Sequence, residues 1–139
     1  MSQITLGILG GGQLGSMLSV AAKKLNIKTV IYCNDEDAPA KNFCDDFHYA
    51  EYDDNEKIND FAKKVDIITY EFENIPFETL NELNKLKTVL PKPSVNRLIQ
   101  HRLAEKDFIN KLNIRTTRYV HIENKEDLLT LEDFLPGIL

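Results

Sequence analysis

The segment Gly10-Gly11-Gly12-Gln13-Leu14-Gly15 constrains this chain more than any other: its G-x-G-x-x-G spacing directly follows the β-rich run Ile4 to Leu9. Behind it Leu14, Met17, Leu18 and Ala21 recur at helical spacing up to Leu25. Glycines at such a point permit a tight strand-to-helix turn, and the free N–H groups at the helix start can receive a ligand's oxygen atoms. The alternation then repeats. Strands are expected at Lys28 to Cys33, Phe47 to Ala50, Asp66 to Tyr70 and Thr88 to Leu90, and helices at Asn55 to Lys64 and from Pro76, in the first turn, to Leu86. Between the second and third strands, Asn34 to Ala40 reads as an acidic, proline-containing loop. Strands alternating with helices imply an α/β fold, a Rossmann-like parallel sheet with helices on both faces.

Pro91 and Pro93 break the pattern, and beyond them it turns helical: Ser94 is placed to cap a segment through Gln100, and His101 to Leu112 continues it. These signals divide the chain into a sheet domain over residues 1–93 and linker helices with the start of a second domain over 94–139. A strand is expected at Thr117 to Val120, a short helix from Asn124 to Phe134, and the beginning of a strand at Gly137 to Leu139. An apolar run at a chain end is unusual for a complete domain, so a truncation is expected there.

Three segments carry candidate chemistry. The glycine turn leaves its ligand open. Asp35, twenty residues after Gly15, stands where a dinucleotide enzyme holds a ribose, so NAD or a flavin is one reading. Other ligands use the same fingerprint, and a turn that binds nothing is a third reading. The second segment is Tyr70-Glu71-Phe72-Glu73-Asn74-Ile75-Pro76, at the carboxyl end of the fourth strand, where a doubly wound sheet forms its ligand crevice. Its acids either cap the following helix or accept hydrogen bonds from hydroxyl or amine groups of a small ligand. The third runs from Asn96 to Lys106. Arg102 and Lys106, four apart on one helical face, suit a polyphosphate, unless the face is simply solvated or neutralised by Glu105.

Bulk properties narrow the classes. The 139 residues, 42% hydrophobic, suffice for one buried domain and the beginning of a second. A net charge of -5 argues against a nucleic-acid or anionic-membrane surface. Met1 to Val20 lacks a basic leader and is interrupted by five glycines, which suits neither a signal peptide nor a membrane helix. Cys33 and Cys44 form no Cys-x-x-Cys motif and read as free thiols of a cytoplasmic protein. His48, His101 and His121 share no ligand spacing, so no protein-made metal site is expected.

Together the three segments resemble the N-terminal region of the N5-carboxyaminoimidazole ribonucleotide synthetases, the ATPase subunit of phosphoribosylaminoimidazole carboxylase, in the ATP-grasp superfamily. The resemblance rests on Gly7 to Gly15, on Thr69-Tyr70-Glu71-Phe72-Glu73-Asn74-Ile75, on Leu90-Pro91 and on Arg102-Leu103-Ala104-Glu105-Lys106. It implies a pre-ATP-grasp substrate domain, followed here by the incomplete start of an ATP-grasp domain. Such ligases use ATP and Mg2+ to carboxylate 5-aminoimidazole ribonucleotide with bicarbonate, through carboxyphosphate, and are homodimers. By likeness Gly12, Gln13 and Leu14 meet the substrate, Glu73 accepts its hydrogen bonds and Arg102 touches ATP. Ser16 stands where many relatives carry arginine. The family's remaining ATP, magnesium and substrate-phosphate residues would lie beyond Leu139, so no catalytic residue is expected within these residues and the chain alone is expected to be inactive. Two other classes remain: a stand-alone NAD-binding module using Gly10 to Gly15 and Asp35, and a non-catalytic interaction domain using a sheet edge or the helix after Ser94.

Overall fold

In a computed structural model, which describes residues 3–127, the strands form where alternation places them: β1 (Thr5–Leu9), β2 (Lys28–Cys33), β3 (Asp46–Tyr49), β4 (Ile67–Tyr70) and β5 (Thr88–Val89). The helices are α1 (Gln13–Lys24), α2 (Asn55–Lys64), α3 (Phe77–Leu86), α4 (Pro93–Ile99) and α5 (Arg102–Lys111). All strand pairs are parallel, in the order β3-β2-β1-β4-β5. The chain winds outward from β1 to β3, then crosses to β4 on the other side of β1. This reversal opens a crevice at the carboxyl ends of β1 and β4.

Side-chain parity divides the core into two layers, because successive strand residues face opposite sides. Leu9, Val30, Tyr32 and Ile68 pack with Ile58 and Phe61 of α2 and Leu80 and Leu83 of α3. Ile8, Ile31 and Cys33 form the other layer with Ala38 and Ala40, beside a short 3-10 turn at Pro39–Asn42 and α1. Helices therefore cover both faces, as expected. β2 is buried at all positions after Lys28, as a central parallel strand must be.

Local signals explain most boundaries. Asp54 caps α2 by accepting the Lys57 N–H at 3.0 Å. Pro76 precedes α3 as its N-cap and is not in its first turn, and no side chain caps that helix, so neither Glu71 nor Glu73 does so. The expected cap at Ser94 is also displaced: α4 begins at Pro93, whose missing N–H suits a first helical position, and Lys92 is the N-cap.

The chain divides into two compact units, Met1–His101 and Arg102–Leu139. The first extends past Pro93 because α4 packs on α3 and its side chains hold the loop after β4. In the second unit α5 ends near Asn113, a non-glycine residue with φ +59°. Thr117 to Val120 has no strand partner among the described residues, and an extended segment without a ladder is not a strand. Asn124 does accept the Asp127 N–H at 3.2 Å. The rest of the helix expected to Phe134, and the strand expected at Gly137 to Leu139, lie outside the described residues.

Candidate functional site

The glycine turn is built around one left-handed residue. Gly10 has φ +109° and donates its N–H to the Tyr32 carbonyl at 2.9 Å. A Cβ there would lie 2.6 Å from Oε1 of Glu71. Gly15 serves close approach: a Cβ on it would meet the Gly10 carbonyl oxygen at 2.8 Å. Gly12, in contrast, has φ -73°, and a Cβ would stand 3.4 Å from Glu71 Oε1. The steric and conformational demand for glycine thus falls on Gly10 more than on Gly12.

Helix α1 has no acid in its first turn and two lysines in its last, so its positive end is not neutralised from within. Glu71 supplies the missing charge from across the crevice: its Oε1 accepts the Gly12 N–H at 3.1 Å. The Glu71 backbone N–H extends the β1–β4 ladder to the Leu9 carbonyl at 3.1 Å, which sets where that side chain emerges. Ser16 turns its hydroxyl back to the Gly12 carbonyl at 3.1 Å.

Facing this contact is a hollow of about 260 Å³, whose walls include the Gly10 to Gly12 backbone, Glu71, Phe72, Tyr52 and Asp35. Burial, with Cys33, the Glu71 carboxylate and Tyr32 nearby, pushes the Tyr52 phenol well above its ordinary range, so it stays protonated. Asp35 spends Oδ1 on the Asp37 N–H at 3.0 Å and keeps Oδ2 for other donors. The crevice therefore offers carboxylate acceptors, while the Gly12 N–H is already taken. Such a surface recognises hydroxyl and amine donors better than a second anion. Larger hollows lie elsewhere, among them one beside Glu78 and Glu82 and one beside Asn110 and Tyr119, and none of these includes the glycine turn.

Of the residues singled out from the sequence, Gly12 lines the crevice. Gln13 and Leu14 are exposed on the first turn of α1, with Leu14 55% exposed. Glu73 is exposed and does not line the hollow. Strand β4 ends at Tyr70 and the Glu71 N–H makes the last ladder bond; the Ile75 N–H then closes a turn onto the Phe72 carbonyl at 3.4 Å, and this bend takes Glu73 away from Glu71. Arg102 opens α5 in the second unit and pairs with Glu105 at 2.6 Å, while Lys106 lies over the Tyr119 ring. Sequence reasoning missed Tyr52, which follows β3 in a turn with no motif around it.

A five-stranded parallel sheet in this order, with a glycine turn and an acidic loop meeting at its switch point, defines a Rossmann-like domain with a small-ligand crevice. The chain belongs to the family of the ribonucleotide synthetase preATP-grasp domain, whose model matches residues 3–100. It is 38% identical over 125 residues to the N5-carboxyaminoimidazole ribonucleotide synthase of Staphylococcus epidermidis, covering 90% of this chain and 33% of that protein. It is 40% identical over 124 residues to the bifunctional purine synthesis protein purC/E of Dictyostelium discoideum, covering 89% of this chain and 12% of that one. Among solved structures, the N5-carboxyaminoimidazole synthetase of Staphylococcus aureus complexed with ADP superposes with TM-score 0.85 at 32% identity, over 94% of this chain and 36% of that one. An Aspergillus clavatus synthase in complex with ADP and 5-aminoimidazole ribonucleotide gives TM-score 0.70 at 28% identity, over 84% and 31%. The chain thus spans about a third of the length of the synthases it matches.

Proposed function

We propose that this chain forms one wall of the nucleotide-substrate cleft of an ATP-dependent carbon–nitrogen ligase, which carboxylates 5-aminoimidazole ribonucleotide with bicarbonate in purine biosynthesis. The observation that carries this reading is the Glu71 carboxylate seated on the Gly12 N–H at the start of α1. A dinucleotide would bring its pyrophosphate to that amide, against a carboxylate already there, so the NAD reading loses its main contact. A ribonucleotide that enters with hydroxyl or amine groups first meets acceptors instead. In this reading Glu71, more than the outlying Glu73, receives those donors, and Tyr52 and Phe72 wall the ligand. ATP activates bicarbonate as carboxyphosphate, and this chain's part is to hold the aminoimidazole nucleotide so that its amine faces the activated carbon.

Arg102 is assigned to ATP phosphate, as the resemblance implies, and would leave Glu105 to reach it. Among the described residues no group of three or more His, Cys, Asp or Glu is placed to hold a metal ion. The 139 residues by themselves are expected to bind nucleotide without hydrolysing ATP. A cytoplasmic setting agrees with the free thiols Cys33 and Cys44. Among the described residues no helix is long and apolar enough to cross a membrane. A homodimer completes the reading, and exposed Met17 and Leu18 on α1 supply an apolar surface for it; light scattering at several concentrations measures it.

The cleft is tested by titrating the isotope-labelled chain with 5-aminoimidazole ribonucleotide and, in parallel, with NAD. The ribonucleotide is expected to shift the amide resonances of Gly10, Gly12, Glu71 and Phe72, and NAD to leave them in place. Shifts produced by NAD at lower concentration than by the ribonucleotide would overturn the proposal.

A further inference from the structure

Beyond the crevice itself, the structure holds the acidic loop from behind. Residues 71–76 leave the sheet after Tyr70, so their backbone carbonyls need partners other than a ladder. Two side chains, one in α4 and one at its C-cap, provide them. Asn96 Nδ2 donates to the Ile75 carbonyl at 3.0 Å, and Gln100 Nε2 donates to the same carbonyl at 2.8 Å and to the Glu73 carbonyl at 2.7 Å. Four residues apart, the two side chains share a helical face, and together they saturate both lone pairs of the Ile75 oxygen.

Asn96 is fully buried, in a position where a helix packed on another helix ordinarily carries an aliphatic residue. Its Oδ1 has no hydrogen-bond partner among the described residues, so it carries an unmet acceptor as well as its donor. A buried amide that breaks the apolar pattern and satisfies only one of its ends marks a place where local stability yields to something else. That something lies at the far end of the loop. Ile75 is pinned by α4, Glu71 is pinned by the Leu9 carbonyl, and the turn between them sets the direction of the Glu71 carboxylate and the Phe72 ring.

We infer that Asn96 and Gln100 are positioning residues: they clamp the loop so that Glu71 stays on the Gly12 N–H and presents its remaining acceptor sites to the ligand. The inference rests on the substrate reading above for its functional meaning, but its structural content can be tested without any ligand. Neither residue touches the crevice, so their effect must pass through the loop.

Gln100 is exposed, which makes it the safer place to cut. Gln100→Met keeps the length and apolar stem but removes the donor, and Gln100→Lys keeps a donor of similar reach. Three quantities are read on the full chain: hydrogen exchange of the Gly12 amide, the melting temperature, and the affinity for 5-aminoimidazole ribonucleotide. Gln100→Met is expected to speed Gly12 exchange by about fivefold or more and to weaken ribonucleotide binding by about five- to tenfold, with a melting temperature near wild type. Gln100→Lys is expected to restore both. Asn96→Leu, which removes the orphaned acceptor while Gln100 still serves the Ile75 oxygen, is expected to speed Gly12 exchange without lowering the melting temperature. Unchanged Gly12 exchange in Gln100→Met overturns the clamp, and so does faster exchange spread over all amides with a matching loss of melting temperature. If Gly12 exchange rises selectively but the wild-type chain binds no ribonucleotide, the clamp stands and the substrate reading falls.

Discussion

Replacing Gly10 with alanine tests the physical basis of the crevice most directly. Two costs are expected. The φ of +109° is a conformation that a side-chain-bearing residue enters at roughly 1 to 2 kcal/mol. The new Cβ would also lie 2.6 Å from Oε1 and 3.0 Å from Cδ of Glu71, so the carboxylate must leave the Gly12 N–H. Losing that charge-assisted bond at a part-buried site costs roughly 1 to 2 kcal/mol once solvent screening is allowed for. The total, roughly 2 to 4 kcal/mol, corresponds to a fall in melting temperature of about 8 to 16 °C for a unit of this size. Gly12→Ala is the control: with φ -73° and a Cβ 3.4 Å from the same oxygen, it is expected to stay within about 1 kcal/mol of wild type. Circular-dichroism melts of Gly10→Ala, Glu71→Ala and the double variant complete a cycle. Once Glu71 is alanine the overlap is gone, so the double variant should lose less than the sum of the singles, by about 1 to 2 kcal/mol. Additive losses, or a Gly10→Ala melt indistinguishable from wild type, would refute the account of Glu71 and Gly10 as one unit.

Three further outcomes are expected. Glu71→Gln, which can still accept the Gly12 N–H but loses its charge, should weaken 5-aminoimidazole ribonucleotide binding about tenfold or more, whereas Glu73→Gln should barely change it; calorimetric titration of both variants reverses the assignment if Glu73 is the one that matters. Arg102→Ala, assayed with the chain fused to the remaining portion of the Staphylococcus epidermidis synthase, should weaken ATP about tenfold and leave the ribonucleotide unaffected; an unchanged ATP constant would reduce Arg102 to its exposed pair with Glu105. The Lys64 ammonium, 2.8 Å from Asp46, holds that carboxyl below its ordinary value of 3.8. A depressed carboxyl stabilises the fold above the unfolded pKa and loses that contribution as pH falls through the folded one. The melting-temperature gap between wild type and Lys64→Met, worth at most about 1 kcal/mol for so exposed a pair, should therefore be full at pH 6 and close below pH 3.8; a gap constant down to pH 2 contradicts the linkage.

Much of this molecule is written in short-range order. Short β-rich runs bounded by turn formers placed the strands, and the helix expected at Asn55 to Lys64 forms there as α2, which the structure shows capped by Asp54 with Ile58, Phe61 and Ala62 buried. The glycine spacing after β1 announced the turn, and the Tyr-Glu-Phe-Glu-Asn run in its place announced the family. These features depend on backbone geometry within a few residues, which sequence states openly. Three decisions came only with the tertiary structure. Glu71 and Glu73 share a strand parity, and only the end of strand β4 at Tyr70 and the turn behind Glu71 separate the one in the crevice from the one outside. Three glycines in a row look alike, and only the packing of Tyr32 and Glu71 around them puts the positive φ at Gly10. Asn96 and Gln100 read as ordinary polar positions of a short helix, yet they bind carbonyls 21 to 27 residues earlier in the chain and hold α4 in the first unit. A side chain's partner across such a gap is set by where the helix docks on the folded sheet, and no local pattern encodes that.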